Sequence, residues 1–397
     1  MIVIIYISYL LSLLFVIAFS PTREFNFALI AFYSITPGLA YCIVKYPSKI
    51  QTYLICLLIL SYFSGKGSNF LLYSHDKLLT DIQLIASSAL WLISYLTVKI
   101  GLYNRFPYNF FKAIFTVFYI VGFYFTITEL AGPRSLDTGS NSGYYILPFL
   151  PVMMYYWPKY KYYILALTFI VILTSIKRSS VIIIAMSLVW LAFCTYKRII
   201  KIKATKTTLI IVIIVLLLMT FAGIYSVYIN GIIERFTGIS EDGGSHRDLI
   251  YLRAIDIISD MDTYHLIIGY GPRYFWYDSL NNNAIISSAH NDFLEITISC
   301  GLIGLLIFIL LHIQLIKMLI QLVKMRKPLA ILYGINYFSF LTWNLVGSQF
   351  AYQAGAIGVC IFWAIVEKKT KEYEKDSIHR NISRYGRRSN EHPIAKN

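Results

Sequence analysis

Residues 296–320 read ITISCGLIGLLIFILLHIQLIKMLI. Only Lys317 among them carries a fixed charge. A helix crosses the hydrocarbon core with about 20 apolar residues, so this stretch is long enough to span a bilayer. Eleven further apolar stretches accompany it, at 1–19, 27–44, 50–63, 79–98, 110–128, 143–157, 160–176, 178–195, 207–229, 328–345 and 349–366. Those at 50–63 and 143–157 are short, and tilted or re-entrant helices suit them. The expected fold is all-α: a polytopic integral membrane protein with about twelve transmembrane helices. Its parts are transmembrane helices 1–9 at 1–229, a long external loop at 230–295, transmembrane helices 10–12 at 296–366 and a basic tail at 367–397. Residues 1–19 lack the basic start and small-residue cleavage site of a signal peptide, so they read as a span.

Composition agrees with this reading. Of the 397 residues, 57% are hydrophobic and 14% charged, against about 25% charged in soluble domains. A soluble enzyme, a disordered chain and a nucleic-acid-binding domain are all excluded by that deficit. The net charge of +15 is not spread evenly. With twelve spans both termini share one side. If the tail is cytoplasmic, the inner loops and tail hold 25 of the 35 Lys and Arg residues but five of the 20 acids. This is the positive-inside bias. The surplus charge then faces the anionic lipids of the inner leaflet, with no nucleic acid implied.

The five cysteines lie in apolar spans at unrelated spacings, which predicts buried thiols with no disulfide and no metal site. Asp260-Met261-Asp262 has a D-x-D spacing, and His246, His265 and His290 share one loop. The D-x-D spacing occurs at metal sites, but no sheet surrounds it here, and the histidines lack i, i+4 pairing or close spacing, so no metal and no cofactor are expected.

The external loop carries ten acids, three histidines, no lysine and Arg235, Arg247, Arg253 and Arg273. Across all external segments arginine outnumbers lysine seven to three; inside, lysine outnumbers arginine 18 to seven. The planar guanidinium forks onto phosphate or carboxylate, so the external face suits anion recognition. Lys177-Arg178 tips an outer turn, where Arg178 faces either lipid headgroups or a cavity holding an anion. Ser245 with Asp248 three residues on resembles a capping box. Ile250, Ala254, Ile257, Ile258 and Met261 follow at helical spacing, predicting a short amphipathic helix with Arg247 in its first turn. His290 stands just before span ten, as a cap or as a general base. Gly301 and Gly304 would let a neighbouring helix approach closely.

Four features occur in order: Arg178 after Thr-Ser, a G-S-x-R helix start at Arg247, the G-x-G-P-x-x-F turn at 269–275, and H-N-x-x-L-E continuing to G-x-x-G over 290–304. Together they resemble the O-antigen ligase and polymerase superfamily of polytopic membrane glycosyltransferases. Asn141, in the loop that starts at Arg134, resembles an Asn that opens the next span in that family. Ile-Lys-Arg replaces the commoner Ser-Arg at Arg178.

The resemblance implies an inverting, metal-independent transfer on the outer side of a bacterial inner membrane. The donor would be an oligosaccharide on undecaprenyl pyrophosphate. It assigns catalysis to His290, Arg247 and Arg178, and substrate binding to Arg273, Asn291, Asn141 and Arg134. Partners would be this lipid-linked glycan, membrane lipid and a chain-length regulator. Polymerase is preferred because such members are numerous and divergent. Ligation of the glycan to lipid A–core is the alternative. A flippase for lipid-linked oligosaccharides and a non-enzymatic assembly protein are readings of other classes. Arg235 and Arg253 fall outside the motifs and are expected to tolerate alanine.

Overall fold

The computed structural model describes residues 43–67, 91–92, 94–104, 107–131, 146–173, 178–197, 199, 243–272, 274–281, 288–347 and 353–390. Every extended element among them is helical, and they contain no strand. Helix α1 spans Lys49–Gly67 and α2 Tyr108–Ala131. A 3-10 turn, Leu147–Phe149, leads into α3 at Leu150–Tyr156. Helices α4 (Lys161–Leu173) and α5 (Arg178–Tyr196) follow. The loop segment contains α6 (Gly243–Ser259), α7 (Thr263–Ile268) and α8 (Tyr274–Asn281). The chain closes with α9 (Asp292–Lys324), α10 (Leu329–Val346) and α11 (Gln353–Asn390).

Only α9 and α10, among the described residues, are long and apolar enough to cross a membrane. The spans expected at 1–19 and 207–229, and nearly all of 27–44, lie outside the described residues. The pattern of exposure explains the composition. Leu302, Leu306, Ile309, Ile313, Ile316 and Ile320 form an exposed stripe along α9. Phe308, Leu311, Leu315, Met318 and Leu322 on its other face are buried. From Leu302 to Ile320 the stripe rises about 27 Å at 1.5 Å per residue, close to the hydrocarbon thickness of a bilayer. Water would penalise so long an apolar surface, whereas acyl chains solvate it. α2 repeats the pattern through Val117, Ile120, Tyr124 and Ile127.

The short expected span at 143–157 becomes a 3-10 turn and a two-turn helix, buried from Leu147 to Met154 and again at Tyr156. Pro148 and Pro151 sit where each segment begins, positions that need no backbone donor. Residues 367–390 of the expected basic tail are helical. α11 runs through it without a break as far as Asn390. Lys371 pairs with Glu367 at 2.9 Å and Lys369 with Glu372 at 2.7 Å, so helical spacing of opposite charges carries the helix past its apolar part.

Charge is also buried at this end. Lys99, 1% exposed, lies 3.6 Å from Glu367 and donates to Gln51 Oε1 and Ser48 Oγ, each at 3.0 Å. The Tyr95 hydroxyl donates to Glu367. These bonds tie α11 to α1 and to the helical residues 94–103, and satisfy an ammonium that burial alone would expel. Cys56, Cys194, Cys300 and Cys360 are free thiols.

Candidate active site

The end of α9 away from Lys324 is built from three segments. Asn291 caps α9: its side-chain oxygen accepts from Phe293 N at 2.9 Å and Leu294 N at 3.2 Å. Its amide nitrogen donates to Leu345 O at 3.2 Å, near the end of α10. The residue before it, His290, takes a left-handed backbone with φ 51. Few non-glycine residues adopt that conformation, and functional sites are enriched in it. His290 is half-buried.

Helix α6 lies across this end. Ile250, Ala254, Ile257 and Met261 are buried against Phe275, Ala289 and Ile298, as their spacing predicts, and Ile258 packs at the edge. Leu249, Leu252 and Ile255 remain exposed on the opposite side. The helix begins at Gly243, so Ser245 falls in its first turn and the expected cap at that residue is displaced. Tyr251, one turn after Arg247, joins the pieces. Its hydroxyl lies 3.4 Å from His290 O and 3.3 Å from Leu345 O. Burial raises the Tyr251 pKa, while the charge of Arg247 and a hydrogen bond from it act in the opposite direction. Arg247, Tyr251, His290 and Asn291 thus form one cluster.

The two glycine motifs meet each other. α9 kinks at Gly301, with φ 64 and ψ −167. Ahead of the kink, Ile298 O accepts from Tyr270 N at 2.9 Å, and Ser299 O accepts from Gly271 N at 3.0 Å. Ser64 Oγ of α1 also donates to Ser299 O, at 2.8 Å. The Gly-Tyr-Gly turn therefore docks on the kink and carries α7 and α8 with it. A Cβ on Gly269 would lie 2.4 Å from Cys300 N, and one on Gly301 2.3 Å from Ile267 C. At Gly304, one turn on, a Cβ would meet Cys300 Cβ of the same helix at 2.2 Å and Leu60 of α1 only at an ordinary contact of 3.5 Å.

Beneath the cap runs a buried polar chain. With the Asn344 amide turned so that its nitrogen faces Asp292, it donates to Asp292 Oδ2 at 2.7 Å and its oxygen accepts from His312 Nε2 at 3.1 Å. That orientation follows from the hydrogen-bond network. His312 Nδ1 lies 3.4 Å from the Tyr337 hydroxyl, and the ring stacks between Phe293 and Phe340. Tyr251, Asp292, His312 and Asn344 carry no role in the motifs. Helical spacing from Arg247 marks Tyr251, and an ionisable residue inside a span marks His312.

Arg178 opens α5, but its side chain lies outside the described residues, as do Arg134, Asn141 and Arg273 altogether. Asp262 caps α7. Its carboxylate accepts from His265 N at 3.0 Å and lies 2.5 Å from His265 Nδ1. The backbone bond, then the ring, hold its pKa below the usual carboxylate value. Arg253 has a partner the sequence did not indicate: Nε and Nη2 fork onto Asp278 at 2.8 and 2.7 Å, joining α6 to α8. Arg253→Ala and Asp278→Ala should each lower the thermal midpoint by a similar small amount, from the loss of about 0.5–1 kcal/mol expected of a partly exposed pair. Unequal shifts would show that the fork is not what the two variants share.

Residues 163–309 match the family model described as O-antigen ligase. The match covers less than half of the chain. It begins in α4, ends in α9, and encloses Arg178, Arg247, Tyr251, His290, Asn291 and both glycine motifs. The O-antigen ligase match is consistent with the superfamily indicated by the motifs, whose members include polymerases and ligases acting on lipid-linked polysaccharides. It does not separate those two activities, and it does not support a flippase. No curated protein matches the chain.

Proposed function

We propose that this protein is a membrane glycosyltransferase that polymerises surface-polysaccharide repeat units carried on undecaprenyl pyrophosphate, at the outer face of a bacterial inner membrane. The observation that carries this reading is the cluster of Arg247, Tyr251 and His290 at the less basic end of a lipid-facing bundle, within the O-antigen ligase match. The acceptor hydroxyl attacks the anomeric carbon from the face opposite the pyrophosphate. The glycosidic C–O bond forms as the bond to phosphate breaks. Undecaprenyl pyrophosphate leaves with the electron pair, and the hydroxyl proton passes to the His290 imidazole. Inversion follows from a single displacement.

A pyrophosphate leaving group develops negative charge, and fixed guanidinium groups stabilise it without a metal. Arg247 takes that role. Arg178 is assigned beside it. Trp190 donates to Ala330 O in the first turn of α10. Its helix begins twelve residues earlier, about 18 Å away at 1.5 Å per residue. An antiparallel course along α10 would bring that start towards Leu345 and His290. Arg273, Arg134 and Asn141 remain assigned to glycan or phosphate binding. Asn291 holds His290 by capping α9, and a substrate contact would be additional. A chain-length regulator is the expected protein partner.

The description of the matched family favours the ligase as the second reading. Deleting the gene and resolving lipopolysaccharide on a gel tests both. A core bearing one repeat unit is the expected result. A core with no repeat would replace the polymerase with the ligase or a flippase.

A further inference from the structure

At the opposite end of α10 from Leu345, helices α3, α4, α5, α10 and α11 line a cleft of about 270 Å³. Its walls include Leu165 of α4, Leu191 of α5, and Leu332 and Ile335 of α10. Its rim carries Lys161, Tyr162 and Tyr373. Lys161 Nζ sits 4.9 Å from the Tyr162 ring, and Lys327 Nζ 4.3 Å from the Tyr373 ring. We propose that this cleft is a binding site for one anionic phospholipid, with an acyl chain between the helices and the phosphate between Lys161 and Lys327.

Three boundaries coincide here. α4 begins at Lys161, α10 begins just after Lys327-Pro328, and the apolar part of α11 has given way to charge by Tyr373. Each boundary passes from lipid-soluble to charged surface, so the cleft opens at headgroup depth. Its walls are apolar and its rim is cationic and aromatic. That pairing fits a molecule with an acyl chain and a phosphate. Lys327 and Tyr373 hold α11 against the α9–α10 turn, so an occupant would brace the basic end of the bundle. The leucine-to-leucine path from Leu329 to Leu345 is about 24 Å of helix. The site is therefore separate from the Arg247–His290 cluster and needs no assumption about its chemistry.

The test uses the full chain in nanodiscs holding equal phosphatidylglycerol and phosphatidylcholine, with lipids retained on release counted by native mass spectrometry. The wild type should retain one phosphatidylglycerol in preference to phosphatidylcholine. Lys161→Glu and Lys327→Glu should each reduce that preference by about fivefold or more, the factor expected for the attraction of one lysine to anionic lipid. Leu332→Trp fills the cleft and should remove the retained lipid of either kind. Lys197→Glu, at the same end but not lining the cleft, should leave retention unchanged. Equal loss with Lys197→Glu would mean diffuse attraction to a basic face and would overturn the site. So would unchanged retention in both Lys161→Glu and Leu332→Trp. Inorganic phosphate that displaces the lipid at millimolar concentration would overturn the acyl-chain half of the proposal.

Discussion

His290→Ala, present in the membrane at normal abundance, should lose about 10²–10⁴-fold in glycan transfer, the range measured when a general base is removed. The expectation rests on position and on backbone. His290 stands at φ 51, between a buried Ala289 and the Asn291 cap, and its carbonyl faces the Tyr251 hydroxyl. Neighbours fix its place, so alanine removes the imidazole with little change in the fold. Arg247→Ala should lose about a hundredfold, as when one charge-stabilising donor is deleted. Arg247→Lys keeps the charge without the fork and should fall between Arg247→Ala and the wild type. Tyr251→Phe removes one hydroxyl that orders the cluster. Loss of about 1 kcal/mol, or about fivefold, is the scale of one hydrogen bond. Complementation of a deletion strain, with membrane levels checked by blot, reads all four variants. Full-length polysaccharide from His290→Ala at normal abundance would remove the base. Arg253→Ala as damaging as Arg247→Ala at equal abundance would place the anion site on the Asp278 side of α6.

Single segments show what the sequence can and cannot disclose. The core-facing residues of α6 were legible because Ile250, Ala254, Ile257 and Met261 recur at helical period and bury one face. The bounds of the apolar stretches at 178–195 and 328–345 fall within a residue of those of helices α5 and α10, because apolar runs end where charge or a turn begins. The tail looks like a separate part in the sequence because the apolar run ends at Val366. Side-chain pairs such as Lys371–Glu367 keep the helix going without it. Arg253–Asp278 and Asp292–Asn344–His312 were hidden for a different reason. Each joins residues 20 or more positions apart, and only packing decides which distant polar groups face each other.

The glycine motifs lie between these cases: both were visible in the sequence, but their contact was not. That contact gives the second large expectation. Gly301→Ala should destabilise the protein by at least about 3 kcal/mol, combining strain at a positive φ with overpacking. Gly301 has φ 64 and ψ −167, and Gly269 has φ 90 and ψ 170, a region of backbone space that is essentially glycine's alone. The obstacle to a methyl group on Gly301 is the backbone of Ile267 and Ile268, at 2.3 to 2.5 Å, which cannot rotate aside as a side chain would. Separating them would break the bonds from Tyr270 N and Gly271 N to the carbonyls of α9. α7 and α8 would then lose their seat, and α6 would lose packing from Phe275. The site would fail through geometry while His290 and Arg247 stayed chemically intact. Gly269→Ala should behave alike, since the same crossing is blocked from its other side. Leu302→Ala, on the exposed stripe next to the kink, should change stability little. Thermal unfolding in detergent, followed by size-exclusion chromatography, separates these outcomes. A Gly301→Ala protein with the wild-type midpoint and wild-type polysaccharide would show that the kink is not required, and that docking of the loop on α9 does not position the site.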